Sequence, residues 1–154
     1  MSSYPVLAAW AFAAGALIPV MGSLNANLSR ALGGAPNAML VLFTVAVAAS
    51  GLTVLLSPQS LPTVAQATSA PARLYLGGFI VAFYVFSVTV LVPQFGVGNT
   101  ILFAMTAQIV TSALMDHYGL FGAPLRPVGL VRLAGIGLML AGLFIAQASV
   151  TRAP

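Results

Sequence analysis

Residues 96–122 read GVGNTILFAMTAQIVTSALMDHYGLFG. The first part of this stretch is apolar enough to cross a membrane, yet Gln108 sits near the middle of the apolar run. The only acid of the chain, Asp116, and the only histidine, His117, follow at its end. Thr100, Ala104, Gln108, Ser112 and Asp116 recur every four residues. On a helix that spacing makes one slowly drifting row of small and polar groups. A polar row on a lipid-spanning helix faces protein or water rather than hydrocarbon. The stretch therefore predicts an all-α integral membrane protein with at least one polar-faced helix, and it names no substrate.

Composition agrees. Of 154 residues, 60% are hydrophobic and only 4% charged, and the mean hydropathy is +1.09. Soluble domains carry roughly 25% charged residues, so this chain could not cover a water-facing surface. The net charge of +4 comes from five arginines against one aspartate, with no lysine. That is too sparse for the basic patch a nucleic acid needs, so no nucleic-acid partner is expected. With no cysteine there is neither a disulfide nor a thiolate metal site. One His and one Asp cannot complete a metal site within one chain, so no metal and no cofactor is expected. The first ten residues, MSSYPVLAAW, lack a basic segment and read as the start of the first span rather than a cleaved signal.

About 20 apolar residues are needed to cross the hydrocarbon core. Five stretches qualify, at about residues 5–24, 37–57, 74–92, 97–115 and 128–148. Together they make a single membrane domain over residues 1–154. In the first, Pro19 removes one backbone hydrogen bond and predicts a bend. The helix is then expected to continue into the interface and stop at Gly33 and Gly34. In the second, Thr44, Ser50 and Thr53 can bond their own backbone, which reads as scaffold. Residues 58–72, rich in Pro, Ser, Thr and Gln, read as a loop. The third span ends at Pro93 and is joined to the fourth by so short a turn that the two predict an antiparallel hairpin. Residues 116–127, DHYGLFGAPLRP, read as a polar, Gly- and Pro-punctuated turn. In the fifth span, Arg132 lies little more than one turn inside and can snorkel to the headgroups.

Five spans put the termini on opposite sides. Arg73, Arg126 and Arg132 then fall on one side, and Arg30 and Arg152 on the other. Three against two is close to no bias under the positive-inside rule. Either a weak signal orients the chain, or copies insert both ways and pair antiparallel. The second reading is favoured, because five spans leave little room for an enclosed pathway in one chain. An antiparallel pair would form an inverted repeat, the architecture of many transporters.

Residues 98–122 and 126–146 carry a pattern that can be placed. It comprises Gly98 and Thr100 at a helix entry, Gln108-Ile109 in mid-span, Asp116-His117-Tyr118-Gly119, and Arg126-Pro127 before the last helix. In the N-terminal half, Pro19, Asn25 and Leu28 fit a looser pattern, with Met21 where a Gln is common. The chain in this respect resembles the YdcZ-like branch of the drug/metabolite transporter superfamily, over essentially its whole length. The resemblance implies a bacterial inner-membrane, multi-pass protein. It also implies half of a ten-span transporter, completed by an antiparallel homodimer or a homologous half. The superfamily moves small organic molecules, and no particular substrate carries over.

Each singled-out residue has two readings. Gln108, with Ser112 on the same row, is either a substrate contact near the midplane or a hydrogen-bonded glue between helices. Asp116 sits at the negative end of its helix dipole, where an anion needs a partner, and Arg126 and Arg132 are both near in sequence. A structural salt bridge is the leading reading, a coupling or gating role the other. His117 is a pH switch or a solvated turn residue. Asn25 contacts ligand or caps a helix end; Trp10 and Tyr84 face a cavity or face lipid and packing neighbours. Thr100, with Asn99, touches substrate or caps the fourth span. The leading function is a secondary transporter subunit working by alternating access. The alternative is a non-transporting scaffold or accessory subunit of another complex. No enzyme is expected, since no second carboxylate, cysteine or nucleophile-base pair is present in the chain.

Overall fold

A computed structural model describes residues 4–58 and 61–150. Arg152, counted above in the charge balance, lies outside the described residues. Five helices are long and apolar enough to span a membrane. They are α1 (Tyr4–Ala31), α2 (Ala35–Leu56), α4 (Leu76–Phe95), α5 (Val97–Tyr118) and α6 (Leu130–Val150), and a short α3 (Val64–Ser69) precedes α4. Among the described residues there is no strand. The helices divide into two units, residues 1–94 and 95–154.

In the first unit, α1 runs through Pro19 to Ala31 without interruption. Proline removes one donor, but in hydrocarbon the remaining backbone groups have no partner except the helix itself, so the helix persists. The end of α1 is set by glycine. Gly33 takes φ +76, where only a residue without Cβ is unstrained, and the Gly34 N–H then reaches back to the Ser29 carbonyl at 2.8 Å. The Asn37 amide, just past the turn, donates to the Leu32 carbonyl at 2.8 Å. At this polar end the Arg30 guanidinium donates to the Asn27 side chain. With Pro36 in its first turn, α2 begins, and Thr44 and Thr53 fold their hydroxyls onto the Leu40 and Ala49 carbonyls.

Residues 58–72 are not all loop. Thr63 and Gln66 form a capping box, each side chain bonded to the other's backbone N–H, and α3 follows. The Tyr75 hydroxyl donates to the Ala67 carbonyl and ties α3 to the turn before α4. Helix α4 continues two residues past Pro93 instead of stopping there. It packs on α1 where Gly22 leaves room: a Cβ built at Gly22 would lie 3.0 Å from Val88 Cγ1 and 3.6 Å from Val92 Cγ2. Ala26, Val85, Val88, Thr89 and Val92 are buried, with the Thr89 hydroxyl bonded to the Val85 carbonyl at 2.7 Å.

Only Gly96, at φ +83, separates α4 from α5. In the second unit α5 and α6 run antiparallel. Residue 103 meets 144 through two aromatic rings 5.8 Å apart, and 116 meets 132 through an ion pair. Helix α5 does not stop at residue 115; it includes Asp116 and His117 and ends at Tyr118, where Gly119 adopts the left-handed conformation. A drop in hydropathy marks where a helix leaves the hydrocarbon, not where its hydrogen bonding ends.

The Gly22 contact yields a prediction. Gly22→Val places new methyl groups against Val88 and Val92, and overpacking of this kind costs about 1–3 kcal/mol. The SDS fraction that half-unfolds the detergent-solubilised protein, followed by circular dichroism, should fall accordingly; an unchanged midpoint would show that α1 and α4 do not pack here.

Candidate functional site

Helix α5 has 22 residues. At 1.5 Å per residue it is about 33 Å long, close to the thickness of the hydrocarbon core. Gln108 therefore sits about 16 Å from the start of the helix, halfway along it. It is exposed, and its amide has no hydrogen bond among the described residues. Ala107, Thr111, Ser112 and Met115 line the same groove, of about 350 Å³. Ser112 bonds the Ile109 carbonyl at 2.9 Å, while Thr111 is exposed beside Gln108. Unpaired amide groups in hydrocarbon cost several kcal/mol each, whereas an interhelical hydrogen bond returns about 0.6–2 kcal/mol. This face of α5 is unsuited to lipid.

The row that carries Gln108 is not a single face. Four residues turn a helix by about 400°, so each step along the row rotates it by about 40°. From Thr100 to Asp116 the direction changes by about 160°. Accordingly Thr100 is buried, 4% exposed, with its hydroxyl on the Gly96 carbonyl at 2.8 Å, while Gln108 and Ser112 are exposed. Thr100 and Gln108 do not share a site within this unit. Nor does Thr100 cap the helix start: it and Asn99, whose amide donates to the Phe95 carbonyl at 2.9 Å, both bond backwards onto carbonyls.

The remaining substrate candidates belong to the first unit. Asn25 is 6% exposed, and its Nδ2 has no hydrogen-bond partner among the described residues. It is thus not a cap for the end of α1; Asn37 and Gly34 serve that end. Asn25 is also the one polar residue of a groove of about 400 Å³ between α1 and α2, lined by Leu17, Val20, Met21, Val41 and Val45 among others. Trp10 is 74% exposed, away from that groove's lining, and Tyr84 on α4 is half-buried.

At the end of α5 the structure ties the titratable residues to the segment that leads into α6. Arg132 Nη2 lies 2.7 Å from Asp116 Oδ2. The Arg126 N–H donates to the Asp116 backbone carbonyl at 2.7 Å, so Arg126 meets Asp116 through its backbone rather than its charge. His117 is not a freely solvated turn residue: its Nδ1 accepts the Val128 N–H at 3.0 Å. Its ring also stands edge-on to Tyr118, with centroids 4.7 Å apart. Arg132 satisfies the carboxylate that the α5 dipole opposes, instead of reaching for headgroups alone. Among the described residues no three metal-ligating side chains cluster together.

Two participants carried little or no sequence signal. Thr111 joins the Gln108 face through i+3 spacing and could have been found that way. Val128 contributes a backbone N–H, which any residue but proline would supply.

Comparison with known proteins gives one result. A family model described as "Putative inner membrane exporter, YdcZ" matches residues 6–145. No curated protein and no solved structure matches the chain.

The Asp116–Arg132 pair has side chains 31% and 41% exposed, so solvent screening limits it to about 1 kcal/mol or less. Asp116→Asn and Arg132→Gln should each lower stability in an SDS titration by about 0.5–1 kcal/mol, and the double variant should be no worse than either. Additive losses would show that the two side chains act separately.

Proposed function

The chain belongs to the YdcZ family of inner-membrane exporters, as the match over residues 6–145 establishes, and from that premise we propose that it is one half of a secondary transporter. A second copy, inserted in the opposite sense, supplies the other half. Five spans per copy make ten in the pair, related as an inverted repeat. The pair moves a small organic molecule by alternating access. The substrate binds near the midplane at the exposed face of α5, against Gln108, Thr111 and Ser112. Asn25, whose Nδ2 lacks a partner among the described residues, offers a separate polar group in the groove between α1 and α2.

One observation carries this reading. A glutamine amide with no partner among the described residues is exposed at the middle of a spanning helix. Protein or a water-filled cavity must cover such a group, because lipid cannot. A second copy facing that patch meets the requirement, and a polar cavity between two copies is where a transported molecule would sit. The arginine balance supports the antiparallel arrangement, since three against two gives insertion almost no preferred direction. Membrane transport, not catalysis, is the activity the family description supports.

A tag on Pro154 of a single gene copy should be found on both faces of the membrane in comparable amounts. Confinement to one face would rule out the antiparallel homodimer. Gln108→Ala should reduce transport at least tenfold while a chemical cross-linker still captures dimers. Transport that survives the substitution would remove Gln108 from the pathway.

A further inference from the structure

Two neighbouring residues at the end of α5 hold three points of the chain that follows. The Asp116 carbonyl takes the Arg126 N–H, His117 Nδ1 takes the Val128 N–H, and the Asp116 carboxylate takes Arg132. These are the last turn of α5, the connection, and the first turn of α6. Of the three acceptors, a carbonyl does not titrate, and a free carboxylate stays ionised across neutral and mildly acidic pH. An imidazole changes charge in that range. The Val128 N–H is a donor, so His117 Nδ1 must carry a lone pair and no proton in this arrangement.

We propose that His117 is a proton-binding site whose occupation releases the α5–α6 connection from the end of α5. A proton on Nδ1 sets two donors against each other at a separation now 3.0 Å. The bond is lost and the Val128 N–H is orphaned. The surroundings add to the effect. His117 lines a groove of about 330 Å³ with Val110, Leu114, Leu133 and Ile136. The charged and titratable residues next in sequence to His117 and Val128 are Asp116, Tyr118 and Arg126. Asp116 is taken by Arg132, Tyr118 meets the ring edge-on, and Arg126, two residues before Val128, is a further cation. No acid remains in the chain to hold the charged ring where it is. The sign follows directly. The closed arrangement binds one proton fewer, so acid favours the released one.

The test needs neither a substrate nor transport, so its failure would leave the transporter reading standing. His117 is the only histidine, so isotope labelling of histidine in protein purified without a histidine tag gives one imidazole resonance to titrate. The chain has no cysteine, so Val128→Cys provides a single thiol on the connection. Its alkylation rate in detergent, divided by the rate for the same variant unfolded in SDS at the same pH, reports how often the connection lifts. From pH 8 to pH 5.5 this ratio should rise about tenfold, with a midpoint matching the imidazole titration. Adding His117→Asn, which keeps an acceptor oxygen near the place of Nδ1 but takes no proton, should abolish the rise. A ratio that does not change while the imidazole titrates, or a rise that persists in the Asn variant, would overturn the proposal.

Discussion

Hydrocarbon offers a polar group nothing to bond to, and most of the side-chain arrangement in this chain answers that constraint. Thr44, Thr53, Thr89, Thr100 and Thr106 each turn a hydroxyl onto the carbonyl four residues earlier. Asn99 and Gln94 do the same with their amides around the α4–α5 junction, where proline and glycine disturb the backbone ladder. Set against this background, two groups stand out. Gln108 is exposed halfway along a spanning helix, and Asn25 Nδ2 is buried without a partner among the described residues. Beside these self-bonded threonines, the two amides mark where something outside the chain is required.

Hydropathy and Pro/Gly punctuation were enough to find the five spans, because both follow from what a bilayer tolerates. The ends were harder for identifiable reasons. Polarity at Asp116 and His117 suggested a turn, but α5 ends only where Gly119 allows a left-handed residue. The capping box at Thr63 and Gln66 was present in the sequence, and the proline- and serine-rich surroundings concealed it. In the candidate site, the four-residue spacing on α5 was legible as a row. Its consequence, that Thr100 and Gln108 face different neighbours, follows only once the 40° drift per step is combined with the packing. Sequence distance left Arg126 and Arg132 as rival partners for Asp116, and the fold gives the carboxylate to one and the carbonyl to the other. The His117 contact carried no side-chain signal, because its donor is backbone.

The end of α5 shows how a helix terminus can be closed in a protein with almost no charge. The last carbonyls of a helix are electron-rich and unpaired. Here one of them receives an N–H from ten residues further on, while the acid that the dipole opposes is met by an arginine from the next helix. The connection is thereby drawn across the end of α5 instead of looping away from it. Local backbone needs, a single ion pair and an imidazole lone pair together hold the α5 end and the α6 start in register.

The ion pair also bears on how this sequence can vary. In a typical domain several acids surround any arginine, and the loss of one is absorbed by re-pairing with another. This chain has one carboxylate side chain. No other position holds a reserve, so neutralising either Asp116 or Arg132 alone leaves the other charge unmatched. Replacement of the pair by two neutral residues, or inversion of the pair, requires two changes. The sparse use of charge that lets the protein live in lipid thus also narrows the mutational paths open to this corner of the fold.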